Sequence, residues 1–199
     1  MKAINFLITG VGGQGTLLAG DLLAAVGLAA GYDVKKSDIL GLAVRGGAVV
    51  GHVRWAERVF SPIVPDGQVD FLVAFEVLEG LRWLHHVRPE GTVLLNQQEI
   101  HPVTVSSGLT GYPDPAAVDR ALGERGGPVF KVPGLELALR LGNPRVLNVV
   151  LLGALSSRLP LSAALWQQVL KNRVPGRYLE LNEKAFEQGR TWAQERSDS

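Results

Sequence analysis

Residues 3–24 read AINFLITGVGGQGTLLAGDLLA. Residues 3–9 form an apolar run with the length of a buried strand. Residues 16–30 have helical length and are apolar on most faces, and Gly31 is a natural stop. Between them lie Gly10, Gly12, Gly13 and Gly15, four glycines in six residues. Strand, glycine loop and helix in this order make a site for an anion. Glycines permit φ > 0 and let a phosphate approach the backbone, while the helix start offers free N–H groups and a partial positive charge. Gly10, Gly12, Gly13, Gln14, Gly15 and the Thr16 hydroxyl are therefore candidate binding groups. The plainer alternative is a turn needed only for tight strand–helix packing.

The loop fits a GxGxxG pattern, but the rest of a dinucleotide fingerprint is weak. A second strand over residues 32–36 should end in an acid that holds a ribose hydroxyl. Here it ends VKKSD, with Lys35 and Lys36, and Asp38 comes late. No GKS or GKT follows, so the loop is not a P-loop.

Further along, residues 48–55 read as a strand and 59–61 as a short returning partner. Residues 70–75 form a strand, 77–87 a helix, and RPEG breaks the chain before a strand at 92–96. Residues 103–106 read as another strand, 107–115 as a loop, 115–123 as a helix opened by Pro115, and 129–132 as a strand. The last third is helical. Asn143 and Pro144 start a helix over 145–158 that is apolar nearly all round, Ser162 caps 163–172, and Pro175-Gly176 open the final helix. The expected fold is α/β: one Rossmann-like three-layer domain over residues 1–199, with a mostly parallel sheet and a C-terminal helical cap at about 144–196.

Composition narrows the function. A net charge of +1 over 199 residues gives no field for nucleic acid or an anionic membrane. The longest apolar run, residues 146–155, is too short to span a bilayer, and MKAINFLITG has no signal-peptide cleavage site, so a soluble cytoplasmic protein is expected. The sequence contains no cysteine, which removes disulfides, thiolate nucleophiles and cysteine-held Fe–S clusters. Of four histidines, His85 and His86 are neighbours on a predicted helix, where successive side chains point apart, so no shared metal is expected. Three further positions carry polar chemistry. Arg45-Gly46-Gly47 sets a cation beside two flexible residues, as an anion clamp or a solvated surface group. Glu76 ends a strand where α/β sheets bind ligands, as a ligand contact or a helix cap. Asn148 lies inside an apolar helix and needs partners if buried.

Seven stretches in register resemble one family: GVGGQGTLLAGDLLA from Gly10, RGGAVVGHVR from Arg45, SPIV from Ser61, DFLVAFEVLEGLRWLHHVRPEGTVLLN from Asp70, GYPD from Gly111, LGNPRVLNVVLLGAL from Leu141 and VPGRYLELNEKAFEQG from Val174. The chain resembles the small (beta) subunit of indolepyruvate:ferredoxin oxidoreductase and the gamma subunit of pyruvate and other 2-oxoacid:ferredoxin oxidoreductases. The resemblance implies oxidative decarboxylation of a 2-oxoacid to acyl-CoA, with electrons passing to ferredoxin. It implies thiamine diphosphate and Fe–S clusters on a large partner subunit, since this chain has no cysteine and no GDG…N signature. Gly20-Asp21-Leu22 falls inside a helix. The glycine loop, Arg45, Gly46, Gly47 and Glu76 would then contact coenzyme A or the partner in a hetero-oligomer, and the isolated chain would form a homodimer. Where the family often reads SEVHGMSQRGGSV, this chain has SDILGLAVRGGAV, so Leu40, Val44 and Ala48 replace a histidine, a glutamine and a serine. Pro133-Gly134 likewise stands where an Asp-Ala pair is common. The competing readings are a free-standing NAD(P)-binding oxidoreductase and a non-catalytic interaction module that has lost its ligand.

Overall fold

Strand β1 (Ile4–Val11) sends Phe6 and Ile8 to one face of a sheet and Leu7 to the other, and all three are fully buried. A strand apolar on both faces must be covered on both, and the chain supplies the helices to do it. The computed structural model describes residues 2–41 and 46–196. Six strands lie in the order β2-β3-β1-β4-β5-β6, where β2 is Asp33–Leu40, β3 Ala48–Ala56, β4 Val69–Ala74, β5 Val87–Asn96 and β6 Val129–Val132. β1, β4, β5 and β6 pair in parallel, and β3 runs antiparallel to both β1 and β2.

On one face Phe6, Ile8, Val53, Trp55, Val73 and Phe75 meet helices α1 (Thr16–Ala29), α6 (Leu147–Ser156), α7 (Ala163–Arg173) and α8 (Gly176–Gln194). On the other, Leu7, Leu72, Val93 and Leu95 meet α2 (Val77–Arg82) and α4 (Pro115–Arg125). This is the expected three-layer α/β arrangement, with the C-terminal helices covering one face. α1 ends where Gly31 (φ 86) lets the Gly31 and Tyr32 amides reach back to Leu28 and Gly27. Every residue of α6 is buried. It packs on α8 through two glycines. A Cβ at Gly153 would stand 2.1 Å from the Phe186 carbonyl oxygen, and one at Gly189 1.9 Å from that of Val150.

The structure departs from the sequence reading at several points. β1 and β2 are linked by α1 but are not neighbours, because the antiparallel β3 separates them. Residues 103–106 are not a strand but the single helical turn α3 (Val103–Ser106), started by Pro102, whose carbonyl accepts from the Val105 and Ser106 amides. Residues 59–61 form no strand. The Val59 amide is taken by Asp33 instead, at 2.7 Å. The helix from Val77 stops at Arg82, a 3-10 turn (Leu84–His86) follows, and β5 begins at Val87, running through RPEG with a register shift against β4. The sequence reading missed α5 (Gly134–Arg140), whose seven residues are too few for a clear helical period.

Gly153→Ala or Gly189→Ala should lower stability by about 1–3 kcal/mol through overpacking against backbone, a fall of roughly 3–10 °C in a thermal melt. Gly123→Ala, on the open face of α4 with no atom near the added methyl, should instead raise stability by about 0.4–1 kcal/mol.

Candidate functional site

Phosphate-type sites need backbone donors that no other part of the chain uses. The turn after β1 supplies them. Gly13 (φ 107) and Gly15 (φ 82) sit in conformations that favour glycine, and Gly15 caps α1 without a side chain. Among the described residues, the amides of Gly13, Gly15, Thr16, Leu17 and Leu18 have no acceptor. The second glycine pair folds onto the first: the Gly12 amide donates to the Gly47 carbonyl at 2.8 Å and the Gly46 amide to the Gly12 carbonyl at 3.3 Å. Arg45 and Val44 lie outside the described residues.

Two hollows of about 420 Å³ each flank the loop. One lies between Gly13, Gly15, Gln98, Arg145 and Asn148. The other lies between Gly12, Thr16, Leu17, Leu40 and Val49. The Asn148 side chain is 2 % exposed, and its Oδ1 accepts from the Val149 amide. Its Nδ2 has no acceptor among the described residues and faces Gly15, where an added methyl would stand 3.0 Å away. A buried amide with a free donor beside five free backbone amides makes a set suited to an anionic oxygen. Larger hollows of about 650 and 710 Å³ lie elsewhere, but their charges pair off, Lys131 with Asp119 and Arg140 with Glu136.

Gln14 holds the loop in place. Its Oε1 accepts from the Val11 amide at 2.8 Å, and its Nε2 donates to the Phe75 carbonyl at 2.9 Å and to Gln98 Oε1 at 3.0 Å. Gly10 leaves room for this contact, since a Cβ there would meet Phe75, Thr16 and Gln14 within 3 Å. Asn96 completes the support, donating to the Phe75 carbonyl and accepting from the Gly134 amide.

The structure places Glu76 away from both hollows. It is buried and caps α2 through the Glu79 amide at 2.8 Å. Its other oxygen accepts from the Ile100 amide and the Tyr112 hydroxyl. Tyr112, from GYPD, is thus a partner of Glu76, and burial together with that carboxylate raises its phenol above the ordinary range. Asp114 of the same motif caps α4 at the Ala117 amide. The loop glycines, Thr16, Gly46 and Gly47 therefore come together, Gln14 positions them, and Glu76 stabilises the neighbouring turn. Asn148, which needs partners inside its apolar helix, comes to the glycine loop, where its Oδ1 is satisfied by the Val149 amide and its Nδ2 has no acceptor among the described residues. The late acid Asp38 is held by Lys36 Nζ at 2.6 Å, which also binds Asp21 at 2.7 Å. It lies on β2, two strands from β1.

An α/β domain whose first strand leads into an open glycine loop defines the class. The chain matches the pyruvate ferredoxin/flavodoxin oxidoreductase family over residues 5–192 and belongs to it. It is 38% identical over 192 residues to the indolepyruvate oxidoreductase subunit IorB of Pyrococcus horikoshii, and 39% identical to that of Thermococcus kodakarensis, covering 95% of both chains in each comparison. The fold is shared with a keto/oxoacid ferredoxin oxidoreductase gamma subunit from Geobacter sulfurreducens (TM-score 0.72, 23% identity, 96% of this chain and 99% of that one). It also superposes on part of a 2-oxoglutarate:ferredoxin oxidoreductase from Magnetococcus marinus solved with 2-oxoglutarate, coenzyme A and succinyl-CoA (TM-score 0.76, 21% identity, 98% of this chain and 32% of that one). Among the described residues no helix is long and apolar enough to cross a membrane.

Tyr112→Phe leaves a Glu76 oxygen and the Leu78 amide each short of a partner and should cost about 1–3 kcal/mol, read by urea unfolding. Glu79 gives a pH signature. Burial raises its carboxyl above the ordinary value of 4.5, Arg82 opposes this, and Glu76 adds to it. The folded state then holds the proton more tightly than the unfolded state, so this contribution to stability is present below pH 4.5 and lost as pH rises through the folded value. Glu79→Gln should therefore gain melting temperature relative to the parent between acid and neutral pH.

Proposed function

We propose that this chain is the small subunit of an indolepyruvate-type 2-oxoacid:ferredoxin oxidoreductase, a cytoplasmic hetero-oligomer, and that its glycine loop binds the phosphate-bearing part of coenzyme A. The observation that carries this reading is the set of amides at Gly13 and Gly15–Leu18 that are unpaired among the described residues, with Asn148 Nδ2 beside Gly15. Support comes also from the relatives named as IorB subunits, which match nearly end to end, and from a structural neighbour described with coenzyme A.

Thiamine diphosphate and Fe–S clusters, held by the partner subunit, supply decarboxylation and electron transfer to ferredoxin. A chain without cysteine has no thiolate to offer a cluster. The part played by this chain is binding. The loop amides and the N-terminus of α1 would neutralise phosphate oxygens, and Asn148 would add one side-chain hydrogen bond. Leu17, Leu18 and Leu40, all exposed at the rim, would shield the bound group from water. Leu40 in place of a polar residue makes that rim apolar, which suits an aromatic 2-oxoacid product better than a small one. A free-standing NAD(P) enzyme is disfavoured because Asp38 is committed to Lys36.

With the large subunit co-expressed, indolepyruvate-dependent reduction of ferredoxin is measured against coenzyme A concentration. Gly13→Val strains the left-handed backbone, and Asn148→Asp puts a negative charge in the cleft. Each should raise KM for coenzyme A at least about tenfold, the effect of roughly 1.4 kcal/mol, and change KM for indolepyruvate less than twofold. Unchanged KM for coenzyme A in both, with normal assembly, would make the loop a subunit contact instead. Saturable NAD(H) binding to the isolated chain would favour the dehydrogenase reading.

A further inference from the structure

The end of the sheet opposite the glycine loop holds a second constellation. Asp66 lies three residues before β4, and His86 lies directly before β5. β4 and β5 are parallel, with Val69 opposite Val87, so both approaches arrive at the same end of the sheet. The glycine loop follows the far end of β1, which is parallel to β4. Nothing in the proposed coenzyme A site reaches this cluster.

Neighbouring histidines on a regular helix diverge, and the sequence reading expected no shared ligand on that ground. The structure overturns the premise. The chain makes one 3-10 turn at Leu84–His86 and extends at once into β5. The two imidazoles lie side by side, centroids 4.3 Å apart, next to the Trp83 indole at 4.7 Å from His86 and 6.3 Å from His85. Asp66 Oδ1 stands 2.9 Å from His86 Nδ1. One ligating atom from each of Asp66, His85 and His86 lies within 4.8 Å of the others.

We propose that Asp66, His85 and His86 bind a zinc-like divalent cation. Two imidazoles and one carboxylate form a donor set that suits Zn²⁺ and its first-row neighbours, whereas Ca²⁺ and Mg²⁺ seek oxygen alone. Ligand bonds of about 2.0–2.2 Å in tetrahedral geometry put donor atoms roughly 3.3–3.5 Å apart. The spread here closes to that by side-chain rotation, since Asp66 and His85 are exposed. His86 is the anchored member. Its Nδ1 is buried and, although beside a carboxylate, makes no aligned hydrogen bond. A cation between the two groups would satisfy both. It would also tie the connection leading into β4 to the turn leading into β5, leaving one coordination position to solvent. A simple His86–Asp66 ion pair is the competing account, and it predicts no metal affinity.

The test is calorimetric titration of Zn²⁺ into the tag-free full chain, with thermal melts run in parallel. The expected result is one Zn²⁺ per chain and a higher melting temperature with the metal. His85→Ala and Asp66→Asn, both at exposed positions, should each weaken binding by at least about tenfold, because even losing a group that only supports a ligand costs 10–100-fold. His101→Ala removes the separate His101–Glu99 pair at 3.7 Å and should leave affinity within twofold. Circular dichroism checks that each variant is folded. Equal zinc binding by the parent and the His85→Ala chain, binding abolished by His101→Ala, or no binding by the parent would each overturn the proposal.

Discussion

One side-chain amide joins the ends of the two central strands. Gln14 accepts from the Val11 amide at the end of β1 and donates to the Phe75 carbonyl at the end of β4. With both ends of its amide satisfied, it holds the glycine turn in a single shape and leaves the backbone donors of that turn pointing outward. Those donors remain free because the chain satisfies its needs there with a side chain. Gly10 is part of the same device, since a Cβ would fill the space that Gln14 and Thr16 occupy.

From Phe75 the constraint spreads through neighbouring groups. Asn96 meets the same carbonyl and fixes the start of α5 through the Gly134 amide. A Cβ at Gly134 would meet Leu147 and Asn96 within 3 Å. Glu76, the next residue after Phe75, caps α2 and is held by Tyr112, 36 positions further along the chain. A polar network of this kind is costly when half satisfied and rigid when complete, which accounts for a loop that is rich in glycine and yet fixed in form.

α6 bears on the site from the other side. Its two close approaches to α8, at Gly153 and Gly189, set how deep it lies. That depth brings Asn148 against Gly15. A polar side chain of a mostly apolar helix is thus delivered to the glycine loop by helix packing more than a hundred residues along the chain.

Much of this was legible in the sequence. The buried strand, the glycine loop, the caps at Asn143 and Ser162, and the stop at Gly31 are local features, each decided by residues within a few positions. The family was legible for the same reason, because its motifs are short and ordered. Strand order was not. Inserting the antiparallel β3 between β1 and β2 depends on pairing between distant segments, and a strand pattern does not name its neighbour. Residues 103–106 look like a strand and fold as a helical turn because Pro102 starts it, and Glu76, readable as a ligand contact or a helix cap, becomes a cap held by Tyr112 and Ile100. The sequence alone determined the chemistry available: free glycine amides, and no cysteine to hold a cluster. Tertiary structure decided which groups come together, setting Asn148 beside Gly15 and Asp66 beside His86, because only long-range packing brings together residues that local preferences leave unrelated.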